Sequence, residues 1–189
     1  MPRIGVSDLH VAEVLTDEEG TITYDEPVRL AKLINIGITK TVAEADLYAD
    51  DALDEYVAEM TGQEISINSK DISNEHEALL LGKELDANGG VVDGSDDAAP
   101  YFAVMFRSRR SDGKYQYRVL YKVRFRPFDE TFDTKSDSIT FQTPTITGRG
   151  MQRNADGLFG YKVDETDENQ AALDTFFESP YEPEFAPEG

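Results

Sequence analysis

The residues best equipped for chemistry in this chain are carboxylates, and their densest run encloses the tetrad Tyr48-Ala49-Asp50-Asp51 inside "EADLYADDALDEYVAEM". A Tyr-X-Asp-Asp tetrad can present two metal-binding carboxylates on a hairpin, as in template-copying polymerases. Such a site needs a third carboxylate on a neighbouring strand and two ions about 3.5 to 4 Å apart. It also needs subdomains that grip a template, and 189 residues leave no room for them. The run holds seven carboxylates (Glu44, Asp46, Asp50, Asp51, Asp54, Glu55 and Glu59) with no Lys or Arg between Lys40 and Lys70, so a four-letter match arises there by composition. The run therefore asks for a reason other than catalysis.

A second carboxylate group lies in "DANGGVVDGSDDAAP", where Asp86, Asn88 and Asp97 fall at offsets of a calcium loop. Val91 occupies the position at which such a loop needs Gly for its sharp turn, and Asp97 replaces the final bidentate Glu. A solvated turn is the simpler reading. His10 and His76 are the only histidines and there is no Cys. Imidazole clusters, thiolate metal sites and a nucleophile-base pair are thereby excluded, and no cofactor or enzymatic activity is expected.

Charge narrows the partners. With 38 acidic against 18 basic side chains, the formal net charge is −20. Such a surface repels nucleic acid and anionic lipid wherever the charge is displayed. No window approaches the roughly 18 consecutive apolar residues of a membrane span, and "MPRIGVSDLH" lacks the regions of a secretion signal. The sequence thus predicts a soluble, unexported chain with no membrane partner. Ten Phe and nine Tyr in patterned blocks argue for a folded core.

The elements that must position these groups are mostly strands. "RIGVSDLHVAEVLTDEEGTITYDEPVRLAKLINIGITK" reads as a hairpin followed by a longer strand. The acidic segment from Thr41 to Thr61 alternates apolar residues among its carboxylates and reads as a long, partly extended hairpin loop. "SNEHEALLLGKEL" predicts one short helix capped by Ser73, with Ala78, Leu79, Leu81 and Leu85 as its apolar cluster. "YFAVMFRSRRSDGKYQYRVLYKVRF" is two alternating arms about an Asp112-Gly113 turn. Strict alternation would place Tyr115, Tyr117, Val119, Tyr121, Val123 and Phe125 on one face. Gln116, Arg118, Leu120, Lys122, Arg124 and Arg126 would then share the other. Eight of the eighteen basic residues lie between Arg107 and Arg126, so acidic and basic residues are segregated along the chain. The basic strand is expected to complement an acidic surface of an identical neighbour.

A further strand, "SDSITFQTPTITGRGMQ", contains Pro144, which predicts an edge or a bulge. "NADGLFGYKVDE" gives a last turn and strand, "DENQAALDTFFES" a short helix, and "PYEPEFAPEG" a proline-punctuated tail. The fold class expected is mainly β: a β-sandwich or barrel of about eight strands with one flanking α-helix and a long hairpin loop. One domain is expected over 1–178, with a C-terminal extension over 179–189.

With those elements placed, the chain resembles the major tail protein family, the tail tube subunits of long, non-contractile bacteriophage tails. "LYADDALDE", "APYFAVMFRS", "GKYQYRVLYKVRF" and "TKSDSITFQTPTITG" carry the match in order, and the opening "IGVSDLHVAEVLTDEEGTITYDEP" and the "DG" and "YKV" near 156–163 also fit. The resemblance implies a structural virion protein without catalytic residues. It implies a chain made in the host cytoplasm that assembles with itself into homohexameric rings stacked as a tube, alongside tape measure and tail terminator proteins. Genome DNA would pass through transiently. The inter-subunit or inter-ring contacts then fall at Tyr48, Asp50, Asp51 and Glu55 of the acidic segment, with Arg118, Lys122, Arg124 and Arg126 on the basic strand. The alternative from another class is a calcium- or carbohydrate-binding β-sandwich module using Asp86, Asn88, Asp93, Asp96 and Asp97, which would stay monomeric.

Overall fold

The computed structural model describes residues 1–49, 52–128 and 143–185, and the side chains of residues 48–53 are outside that description. The chain is mainly β, as the alternation requires. Among the described residues eleven strands form: β1 (Arg3–Glu18), β2 (Thr21–Tyr24), β3 (Val28–Arg29), β4 (Leu33–Ala49), β5 (Ala52–Ser69), β6 (Glu84–Leu85), β7 (Val91–Val92), β8 (Tyr101–Arg110), β9 (Tyr115–Phe125), β10 (Thr145–Gly150) and β11 (Gly160–Asp164). Three of them, β3, β6 and β7, are two residues long, which leaves eight longer strands beside the helices α1 (Asn74–Leu81) and α2 (Gln170–Leu173).

The main sheet runs β2-β1-β8-β9-β10-β5-β4, with β11 added to β9 and β3 to β1, and every pairing is antiparallel. It curls. Leu9 and Val11 of β1, Phe102, Val104 and Phe106 of β8, Leu120, Val123 and Phe125 of β9, Ile146 of β10 and Ile65 and Ile67 of β5 share one inner cluster. Val6 from β1 and Ile36 and Ile38 from β4 close on it from the two flanks of the sheet. Helix α1 adds Leu80 and Leu81 to this interior. The outer face of the middle strands is covered as well: Ala103, Met105, Tyr117, Val119 and Tyr121 pack under Leu173, Phe176, Phe177 and Tyr181 from the C-terminal part of the chain.

Local chemistry accounts for the turns. Ser73 Oγ accepts from His76 N at the start of α1, and Gly82 ends it at φ +66. A Cβ at Gly82 would sit 2.3 Å from the Ala98 carbonyl oxygen, so no other residue fits that left-handed cap. At the tip of β8–β9, Gly113 takes φ +88 and donates its N–H to the Arg110 carbonyl, the conformational role the Asp-Gly pair predicts.

Three expectations are corrected. The segment Thr41–Thr61 is not a loop: β4 and β5 remain paired from Thr41↔Gly62 to Ala49↔Ala52, with register shifts after Thr41 and after Leu47, because alternating Val, Ala, Leu and Tyr side chains suit a ladder even among carboxylates. Pro144 does not mark an edge. Residues 145–150 pair with β5 and Gly148–Gly150 with β9 as well, so β10 lies inside the sheet, and Pro144 sits just before its first residue, where a missing N–H costs nothing. The remainder of that expected strand lies outside the described residues. Finally, β9 does not alternate strictly. The register slips by one between Val104↔Leu120 and Phe102↔Val123, a β-bulge. Tyr121 keeps the outer face with Tyr117 and Val119, whereas Val123 and Phe125 return to the interior beside Leu120.

Candidate assembly surfaces

The two charge groups singled out in the sequence occupy opposite situations. Beyond the pair Val42↔Met60, the β4–β5 hairpin leaves the body as a bare two-stranded ribbon. Residues 41–47 and 54–59 are all exposed. Cross-strand partners share a face, so Ala43, Ala45 and Leu47 lie with Glu55, Val57 and Glu59 on one side. Val42, Glu44 and Asp46 lie with Tyr56, Ala58 and Met60 on the other. Each side alternates carboxylates with apolar side chains, and Val42, Leu47, Tyr56 and Val57 stay between 43 and 54% exposed. A lone two-stranded ribbon is marginal in water.

Tyr48 pairs by register with Leu53 near the end of this ribbon, and Glu55 pairs with Leu47. Asp50 and Asp51 lie outside the described residues.

On β9 the bulge divides the basic residues. Arg118 points with Leu120 to the inner side, half-buried in a cleft with Arg3, Gln116 and Asn35 between β1 and β4. Burial, with Arg3 adding to it, holds its guanidinium below the usual value. Lys122 is buried and bound to Asp17 inside the subunit, its ammonium also 5.0 Å from the Tyr101 ring centre. Asp17 in turn accepts from the backbone N–H groups of Asn154 (2.7 Å) and Ala155 (3.1 Å). Arg124 and Arg126 are exposed. Arg124 stands in a lateral row of cross-strand partners, Tyr101, Arg124, Arg149, Glu64 and Thr39, that crosses five strands of the outer face. Arg126 reaches Glu64 at 3.0 Å.

The residues considered for calcium do not converge. Asp86 accepts from Asn88 N and Gly90 N at 2.9 and 2.7 Å, Asp93 pairs with Lys83 at 2.6 Å, and Asp97 accepts from Gly94 N at 2.8 Å. Among the described residues, no group of three or more His, Cys, Asp or Glu side chains gathers around a common point.

Sequence reasoning missed the most buried charge. Arg153, 2% exposed, is gripped by Asp156 (2.6 and 2.7 Å) and by Glu182 (2.6 and 2.7 Å), and its guanidinium lies 4.0 Å from the Tyr121 ring centre. Burial opposes the charge, but the bonds to Glu182, Asp156 and Tyr24 outweigh it and raise the guanidinium's pKa. Burial pushes the Tyr24 hydroxyl up to about 12. Tyr121 donates its hydroxyl to the Tyr181 carbonyl at 2.7 Å, and Tyr181 stacks on Tyr161. Residues 180–182, expected in the extension, are therefore tied to the body. The only sequence signal was the aromatic and acidic character of "YEPEF" after a helix.

The arrangement holds two charged, partly apolar surfaces on a rigid curled sheet and offers chemistry suited to contact with other chains. No curated protein matches the sequence. The family model for phage tail tube proteins matches residues 15–181, and the chain belongs to that family, whose members are structural components of the virion tail.

Proposed function

We propose that this chain is the repeating subunit of a long, non-contractile tail, closing into homohexameric rings that stack into a tube through which genome DNA enters the host. The single observation that carries this reading is the β4–β5 ribbon, exposed on both sides with carboxylates and apolar residues interleaved. Such a ribbon gains no burial within one subunit and becomes stable when neighbours cover it. Its contact residues are Glu55 and its neighbours, continuing through Tyr48, Asp50 and Asp51, with the outward arginines Arg124 and Arg126 as complementary groups. The open flank of β4 supports the same reading, because pairing with another copy removes an unpaired strand edge. Tape measure and tail terminator proteins are the further partners this role entails, and synthesis in the host cytoplasm follows from it.

Six copies at −20 each give −120 per ring. Cationic walls would hold DNA through counterion release at every phosphate contact, whereas acidic walls leave it mobile. The lumen is accordingly acidic. Electron microscopy of the purified protein across salt and concentration is the test. Rings or tubes of uniform bore are expected; single-chain particles under every condition would overturn the assignment, and a net basic inner wall would overturn the lumen.

A further inference from the structure

Where the two flanks of the curled sheet approach each other, β1 and β4 share no ladder and leave a recess of about 340 Å³. Val6, Ile34, Ile36, Ile38 and Phe106 supply apolar walls, and Arg3 of β1 and Arg118 of β9 supply charge. Lys162, exposed on β11, is the cross-strand partner of Arg118 and shares its face. The polar groups beside them are already engaged: the Ser108 hydroxyl donates to the Gly5 carbonyl and the Gln116 amide to Asp164, which also meets Arg110 at 3.3 Å. Among the described residues no carboxylate lies within ion-pair distance of Arg3 or Arg118.

For Arg118 this arrangement is unfavourable on two counts. Half-buried, the guanidinium gives up hydration without gaining a counter-charge, and Arg3 repels it. The chain has 38 carboxylates and places none of them here. An anion from outside removes both costs, because a carboxylate or phosphate accepts paired N–H bonds from a guanidinium fork. The walls choose between those two. Phosphate would bring more charge into an apolar-sided recess, whereas a monocarboxylate on an apolar stem surrenders less hydration and buries the stem against the isoleucines of β4. Mostly apolar lining with a few placed polar groups is the usual make-up of a small-molecule site.

We infer that the seam between β1 and β4 binds a small free carboxylate with an apolar stem, its charged end on Arg118 and Arg3 and its stem against Ile34, Ile36 and Ile38. The bound molecule bridges strands that no ladder joins, so it stabilises the curl of the sheet where side chains alone close it. Such a site stands whether or not the chain forms tubes.

Submicellar octanoate is the probe, followed by isothermal titration and by thermal unfolding. One octanoate per chain is expected, with an unfolding temperature raised by about 5 °C at about a hundredfold excess over the dissociation constant. Octanol, which has the stem without the charge, and inorganic phosphate, which has the charge without the stem, are expected to give no comparable shift. Arg118→Gln is expected to abolish the response without lowering the ligand-free unfolding temperature, since the charge it removes has no partner. Arg3→Gln, an exposed position, is expected to weaken octanoate about tenfold and carries the test if Arg118→Gln does not fold. No saturable binding, binding unchanged in either variant, or an equal shift from octanol or phosphate would overturn the inference. Sedimentation decides the source: octanoate that leaves the association of copies unchanged supports a free ligand, whereas octanoate that separates them through Arg118 would make the occupant a carboxylate of another chain and overturn it.

Discussion

The hairpins β8–β9 and β4–β5 share an antiparallel ladder and alternating side chains, yet only the first is covered on both faces. In β8, Phe102, Val104 and Phe106 face the interior while Ala103 and Met105 face the C-terminal cover, and all are buried. In the outer half of β4–β5 every residue with a described side chain from 41 to 47 and 54 to 59 is exposed. A strand pair draws little stability from its ladder alone, since backbone hydrogen bonds to water are exchanged for internal ones at small net gain. What covers the faces decides. One hairpin is covered by the subunit itself, and the outer half of the other is left open on both faces.

The sharpest way to break that contrast is a matched pair of truncations. Phe102→Ala removes a fully buried ring and is expected to lower the free energy of unfolding by about 3–5 kcal/mol. Tyr56→Ala removes a ring that is 54% exposed and is expected to change monomer stability by less than about 0.5 kcal/mol while weakening assembly. Urea denaturation measures the first quantity and sedimentation of the assembled form the second. Equal destabilisation by both would mean that the ribbon is already covered within one chain.

The C-terminal cover sharpens the same contrast, because it is what makes the outer face of β8–β9 a buried one. Glu182→Ala leaves Asp156 as the one carboxylate on Arg153, beside the Tyr24 hydroxyl, and is expected to cost about 1.5–3 kcal/mol, the range for a lost hydrogen bond to a charged group. Differential scanning calorimetry is the measurement. An unchanged transition temperature would mean that Glu182 contributes nothing to holding the cover in place.

A pH series separates the charges of this cover from those of the ribbon. The hydrogen bond from Arg153 holds the Asp156 carboxyl below its ordinary 3.8. A group depressed in the folded state stabilises fully above its unfolded value and loses that contribution as pH falls through the folded one. The stability difference between the unmodified chain and Asp156→Asn is therefore expected to be constant near neutrality and to shrink below about pH 4. Chemical denaturation at several pH values would show it, and a difference that persists unchanged at pH 2 would remove Arg153 as the cause.

The contrast between the hairpins also marks how far the sequence could be read. Local signals were legible: Ser73 and Gly82 bound α1 because capping is settled within a few residues, and Asp112-Gly113 placed the β8–β9 turn for the same reason. The ribbon was visible as an acidic stretch but not as a ladder, since carboxylates lower strand propensity without preventing pairing. Leu80 was missed and Leu85 over-read in α1: Leu80 is buried, whereas Leu85 is exposed in β6. The bulge after Leu120 has no local signature, and one extra residue reversed the faces of Val123 and Phe125. Lys122 finds Asp17 across 105 positions, and Arg153 finds Glu182 across 29. Such pairings are set by which strands become neighbours, a property of the whole sheet.

The smallest expected effect concerns Arg126 and Glu64, which join the base of the ribbon to the end of β9 at 3.0 Å with side chains 51 and 57% exposed. In water such a pair gains little, because both ions keep most of their hydration and ordering two long side chains offsets the attraction. Arg126→Gln is expected to change monomer stability by less than about 0.5 kcal/mol. Raising salt to about 1 M, where the screening length falls to about 3 Å, should erase even that. Urea titrations at low and high salt measure it. A salt-independent loss above 1 kcal/mol, the upper end for an exposed pair, would mean that the base of the ribbon is sheltered from solvent within the single chain, and the boundary between covered and exposed sheet would then lie further out along β5.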